Sequence, residues 1–171
     1  MGAAITAILA ADDRALRSIV LIAPYLRVPR WIRFALPFRA VWSPFVGEVE
    51  ARHPRSIMDP DERRKSLAYG VVNAKAMAEL AKVSRRARHS LPHVTAPTLV
   101  IHSPGDPRVT RTTALLALKK TGAREKRMVS TKTGGHVITV DFGREEVLAE
   151  TLSWIKRWDG QPQRARLPGQ S

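Results

Sequence analysis

The sequence predicts an α/β fold built on a parallel sheet, and three observations carry that reading. Continuous apolar runs at 18–23 and 97–102, with a weaker one at 126–130, have the length and β-branched content of buried strands. Helical patterns flank them, in the order helix, strand, helical insertion, strand, helix, strand, helix. Asp106 and His136 fall in the loops after the second and third strands, at the C-terminal ends where parallel sheets carry their chemistry.

Taken in order, residues 2–11 are apolar almost all the way round, which predicts a helix buried on every side. The run at 18–23 suits a strand covered on both faces, and Pro24 ends it. Between 24 and 94, prolines at 24, 29, 37, 44, 54 and 60 interrupt a stretch containing Trp31, Phe34, Phe38, Trp42 and Phe45, which predicts short amphipathic helices. Its aromatic residues have two readings, as the lining of a pocket or as packing within the insertion. A longer helix is expected over 60–88, with Leu67, Tyr69, Met77 and Leu80 on its apolar face. After the strand at 97–102 comes a helix over 110–120, closed by Thr121 and Gly122. Asp141 is placed to cap a last helix whose buried stripe is Val147, Leu148, Leu152 and Ile155. The polar stretch 159–171 reads as a disordered basic tail.

The chain has 171 residues, enough for one domain with a core. It contains no cysteine, which excludes a disulfide framework and thiolate zinc sites and fits a cytoplasmic setting. Net charge is +14, with fourteen Lys/Arg against six Asp/Glu between 24 and 94. That excess reads as a solvated basic surface, so no specific nucleic-acid partner is expected. The longest early apolar stretch, 3–11, is too short to span a bilayer, and its flanks do not suit a signal peptide. Residues 1–6 fit a loose myristoylation pattern, although the glycine has a better explanation below. The spacing of His53, His89 and His93 does not suggest a metal site, and no cofactor is expected. His102, Trp154 and Trp158 read as packing residues.

An aspartate after one strand and a histidine after the next satisfy two requirements of hydrolytic chemistry. The histidine takes a proton from a nucleophile, and the carboxylate fixes its tautomer and stabilises its charged form. The chain order Ser, Asp, His is that of α/β-hydrolases. Residues 96–109, APTLVIHSPGDPRV, are similar to the acid-bearing strand and loop of that family. Residues 134–141, GGHVITVD, followed by REEV at 144–147, resemble the histidine loop and last helix of bacterial carboxylesterases and monoacylglycerol lipases.

The resemblance covers about residues 1–158 and implies Asp106 as triad acid and His136 as triad base. Residues 1–6, MGAAIT, resemble the segment just past a G-x-S-x-G nucleophile elbow. Gly2 would then be the elbow's last glycine, where a side chain has no room, and the Met1 backbone N–H would help form the oxyanion hole. The implied architecture is the C-terminal half of an α/β-hydrolase, with partial core at 1–23 and 95–158 and a helical cap at 24–94.

No G-x-S-x-G occurs in the 171 residues. The nucleophilic serine is expected one residue before Met1, and a triad without it loses about a millionfold in rate. The chain as given is therefore expected to be inactive on its small-molecule acyl esters. A non-catalytic hydrolase remnant or binding module is the rival reading. The first strand would pair with one outside the chain, which leaves an apolar edge open to association.

Overall fold

The computed structural model describes residues 1–42, 47–50, 53–67 and 70–160. Its centre is a three-stranded parallel sheet of β1 (Ile19–Ile22), β4 (Thr98–His102) and β5 (Lys126–Ser130), in the order β1-β4-β5. Ile19 pairs with Thr98, and Thr98 with Lys126. All five residues of β4 are buried, as its central position requires, whereas β5 is an edge strand with Lys126, Arg127 and Ser130 exposed.

Side-chain alternation along the strands sorts the core into two layers. Ile19, Leu21 and Val100 face α1 (Gly2–Asp12), α5 (Ala74–Ser90) and α6 (Arg111–Lys120), where Ala4, Ala7, Ala10, Ala87, Ala114 and Ala117 let the helices come close. Leu99 and Ile101 face the other way, onto Ile138 and α7 (Arg144–Asp159), with Val20, Ile22 and Val129 packed alongside. The result is a helix–sheet–helix sandwich.

Helix α1 is not buried on every side. Only its alanine face is inside, while Ile5 and Leu9 are exposed. Strand β1 is likewise unequal: Ile19 and Leu21 are buried, Val20 and Ile22 half-buried. For α7 the helical period is right but its phase is not. Val147, Trp154 and Trp158 are buried, whereas Leu148, Leu152 and Ile155 are exposed. Both stripes have helical spacing, and the one carrying two tryptophans removes far more apolar area from water. The two rings pack edge to face at 5.8 Å. The helix also runs on through Asp159, into what was expected to be tail, and residues 161–171 lie outside the described residues.

The helix expected over 60–88 is two helices, α4 (Pro60–Lys65) and α5. Between them Gly70 adopts φ +79°, left-handed backbone that favours glycine. Val71–Val72 (β3) then pairs antiparallel with Val49–Glu50 (β2), and the Asn73 side chain caps α5 by accepting from the Ala76 N–H. Leu67 is fully exposed, and Tyr69 lies outside the described residues. The C-terminal part of the 24–94 segment enters the main core through Ala87, Leu91 and Val94. Helices α2 (Arg30–Ala35) and α3 (Arg39–Trp42), joined by a 3-10 turn at Leu36–Phe38, form the short helical run expected among the prolines; Phe45 lies outside the described residues. Thr121 closes α6 with extended backbone, and Gly122 is not left-handed; it lacks a side chain because the Pro92 carbonyl packs there.

Candidate active site

Strand β4 delivers its chain to a turn in which the Asp106 N–H donates to the Ser103 carbonyl at 3.2 Å. The Asp106 carboxylate is fully buried. Its Oδ1 accepts from the Arg108 and Val109 N–H groups at 2.7 and 2.9 Å, and its Oδ2 lies 2.8 Å from His136 Nδ1. Thirty residues of sequence separate the two side chains, and the β4–β5 pairing closes that distance. Burial alone would raise the Asp106 pKa, but hydrogen bonds from His136, Val109 and Arg108 outweigh it and hold the carboxyl below its ordinary range. An ionised carboxylate only accepts, so Nδ1 carries a proton, and in the neutral ring Nε2 keeps its lone pair. Nε2 makes no hydrogen bond among the described residues, and the ring is about one-fifth exposed. The pair is therefore a buried acid and an accessible base.

The histidine loop is held by contacts that the sequence does not announce. Gly134 has φ +106°. A Cβ on Gly135 would stand 2.0 Å from the Arg55 carbonyl oxygen, so glycine alone fits this approach. The Ser103 hydroxyl donates to the Gly134 carbonyl and accepts from the Gly105 N–H, which ties the acid loop to the histidine loop.

Asp141 does not cap α7; Gly143 occupies that position, without a side-chain bond. Instead the Asp141 carboxylate, 1% exposed, gathers four backbone N–H groups. Oδ2 accepts from Met58 and Gly135, both at 2.7 Å, and Oδ1 from Asp59 and Phe142, both at 2.9 Å. Burial pushes its pKa up, but these four donors bring it below the ordinary range. One carboxylate thus fastens residues 58–59 of the insertion to the residue preceding His136. The Val137 N–H bonding to the Ser56 carbonyl adds a second tie. The available sequence signal was an acidic residue five positions after the histidine, and two of its four partners lie 83 and 82 residues away.

The other candidates sort clearly. Met1 stands at the N-terminal cap position of α1, where its carbonyl accepts from Ala4 and Ile5. Helix α1 packs against β1 and α5. Desolvation lowers the pKa of the Met1 amino group. A Cβ on Gly2 would meet nothing within 4 Å, so the crowding expected there is absent among the described residues. His102 is buried with Nε2 on the Val109 carbonyl, and desolvation lowers its pKa; it braces the acid loop without facing His136. His53 caps a short turn at Pro54–Ser56. Among the described residues no group of three or more potential ligands converges on a metal position. Trp31, Phe34 and Phe38 are exposed, so they do not hold the insertion together. Arg30, Trp31, Arg33 and Phe34 lie along α2, where basic and aromatic side chains interleave and all four are exposed.

A family model described as serine aminopeptidase, S33, matches residues 1–142. Among solved structures, a chain described with the metagenome-derived lipolytic enzymes LipS and LipT gives a TM-score of 0.78 at 26% identity, over 92% of this chain and 62% of that one. Monoacylglycerol lipase from Paleococcus ferrophilus gives 0.73 at 14% identity, over 90% of this chain and 64% of that one. A soluble variant of monoglyceride lipase from Saccharomyces cerevisiae gives 0.72 at 10%, over 91% and 59%. No curated protein matches the chain in sequence. The chain thus spans under two thirds of the structures it resembles and carries a partial α/β-hydrolase fold. On the match over residues 1–142 and the parallel sheet with flanking helices, the chain belongs to the serine aminopeptidase S33 family of α/β-hydrolases.

Proposed function

We propose that this chain supplies the acid and base of a serine hydrolase acting on small-molecule carboxylic (acyl) esters, with the nucleophile contributed by polypeptide preceding Met1. The observation that carries it is the 2.8 Å contact between His136 Nδ1 and the buried Asp106 carboxylate. In this reading His136 Nε2 takes the serine proton as the hydroxyl attacks the acyl carbon, and returns it to the departing alkoxide. Asp106 holds the ring in the required tautomer and stabilises the imidazolium that forms. The Met1 nitrogen, as a peptide N–H, would donate to the oxyanion. Ser103 is not a substitute nucleophile, because its hydroxyl is committed to Gly134. Residues 24–94 serve as the cap, rooted on the histidine loop through Asp141. The absence of cysteine favours a cytoplasmic setting, and among the described residues no helix is long and apolar enough to cross a membrane.

Ester chemistry is supported by the lipolytic activity named for LipS and LipT. The test is fluorophosphonate labelling of the chain as given, and of the chain extended upstream in frame through a G-x-S sequence. Labelling of the extended form alone, lost in His136→Ala, is expected. An extended form that labels equally with alanine at 136 would overturn the assignment. A stop codon immediately upstream, with no separate chain restoring labelling, favours the non-catalytic remnant.

A further inference from the structure

Helices α2 and α3 carry a surface that the hydrolase site does not use. Trp31, Phe34, Phe38 and Val41 recur at helical spacing and are 72%, 68%, 67% and 71% exposed. Single exposed apolar residues are ordinary, but four within eleven residues across two consecutive short helices form a patch that needs a partner. Beside it lies an open cavity of about 390 Å³ lined by Arg27, Val28, Arg30, Arg33, Phe34 and Arg88. Among the described residues no carboxylate pairs with any of these four arginines. Arg88 is pinned by its bond to the Leu26 carbonyl. Burial lowers its pKa, and the charges of Arg27, Arg33 and Arg85 lower it further.

We infer that this face docks on an anionic lipid surface, with the arginines taking phosphate headgroups and the Trp31–Phe34–Phe38–Val41 stripe entering the acyl boundary. Guanidinium forks match phosphate oxygens, and a tryptophan at the rim of an apolar stripe suits the headgroup level. A second copy of the chain is a poor occupant, because a two-fold contact would set the same arginines against one another in a molecule already at +14. A single-stranded nucleic acid would use the arginines and the rings but has no use for the aliphatic Val41. The inference stands whether or not the chain hydrolyses an ester.

The test is co-sedimentation of the native chain with vesicles of phosphatidylcholine alone, and with three parts in ten of phosphatidylglycerol. Tryptophan emission is followed in parallel. Binding to the anionic vesicles at least tenfold tighter than to the neutral ones is expected, with a blue shift that disappears in Trp31→Phe. Replacing Arg27, Arg30 and Arg33 together by glutamine should weaken binding about a hundredfold, from roughly fivefold per basic side chain at an anionic surface. The matched triple Lys119→Gln, Lys120→Gln and Arg124→Gln should change it much less. Equal losses in the two triples, equal binding to both vesicles, or no blue shift in the native chain would overturn the inference. So would a dimer in solution that Trp31→Ala dissolves, or a single-stranded oligonucleotide that binds more tightly than the vesicles. All substituted side chains are exposed, and the native fluorescence shift needs no variant.

Discussion

Asp141 and Asp106 are both buried carboxylates, yet the sequence hints at the role of only one. Asp106 touches the histidine ring, and Asp141 touches only backbone. Asp141 is a positioning residue, since it fixes the chain that leads into His136 without reaching the ring. Removing its charge leaves buried N–H groups without a strong acceptor, so Asp141→Asn should lower stability by about 2 kcal/mol. In the complete active form, that variant should lower kcat more than Asp59→Asn, which disturbs only the α4 cap, and a greater effect from Asp59 would show that Asp141 is not positioning the site. Both carboxyls titrate lower in the folded chain than their ordinary 3.8, so the folded state binds fewer protons in that range. Their stabilisation is complete above about pH 5 and is lost as pH falls through 4 and below. Acid unfolding monitored by circular dichroism should therefore shift to higher pH, not lower, when Asp141 is replaced by Asn.

Among the elements, α7 offers the clearest separation of pattern from packing. Trp154 is 3% exposed and Leu152 46% exposed, though each lies on a stripe of helical spacing. Trp154→Ala should cost about 3–5 kcal/mol, while Leu152→Ala should stay near 0.5 kcal/mol. Urea melts of the two variants check this, and comparable losses would mean that the exposed stripe is covered. The period of a helix is written locally, but its phase is set by what packs against it. For α7 that is Leu99, Ile101 and Ile138, far away in sequence. The division of 60–88 into α4 and α5 was more accessible, because Gly70, the β-branched Val71–Val72 and the capping Asn73 are successive breaker, strand and restart signals. Averaging the apolar residues over the whole window hid them.

For the molecule as a whole, the sheet stops short. Strand β1 pairs with β4 on one side, and among the described residues no strand pairs with its other edge. Exposed Ile5 and Leu9 lie on the neighbouring α1, and Leu148, Leu152 and Ile155 form a second exposed stripe on α7. An open strand edge with apolar surroundings is a template for association. The isolated chain should show concentration-dependent mass in sedimentation velocity, reduced by Val20→Lys on the β1 edge strand. A monomer at all concentrations would count against the edge as an interface. This association is separable from lipid docking, which uses the α2–α3 face and depends on salt.

The alternation of strand-like and helical runs was enough to determine the parallel α/β class, because it is a local pattern; the two loop motifs pointed to Asp106 and His136, whose side chains the fold brings to 2.8 Å. Tertiary structure decided which stripe of α7 and which face of α1 are buried, that Asp141 clamps residues 58–59 to the histidine loop, and that Arg88 of α5 joins Arg27, Arg30 and Arg33. Each of these depends on groups brought together by the sheet and its crossovers, and no local period encodes which distant surface a side chain will meet.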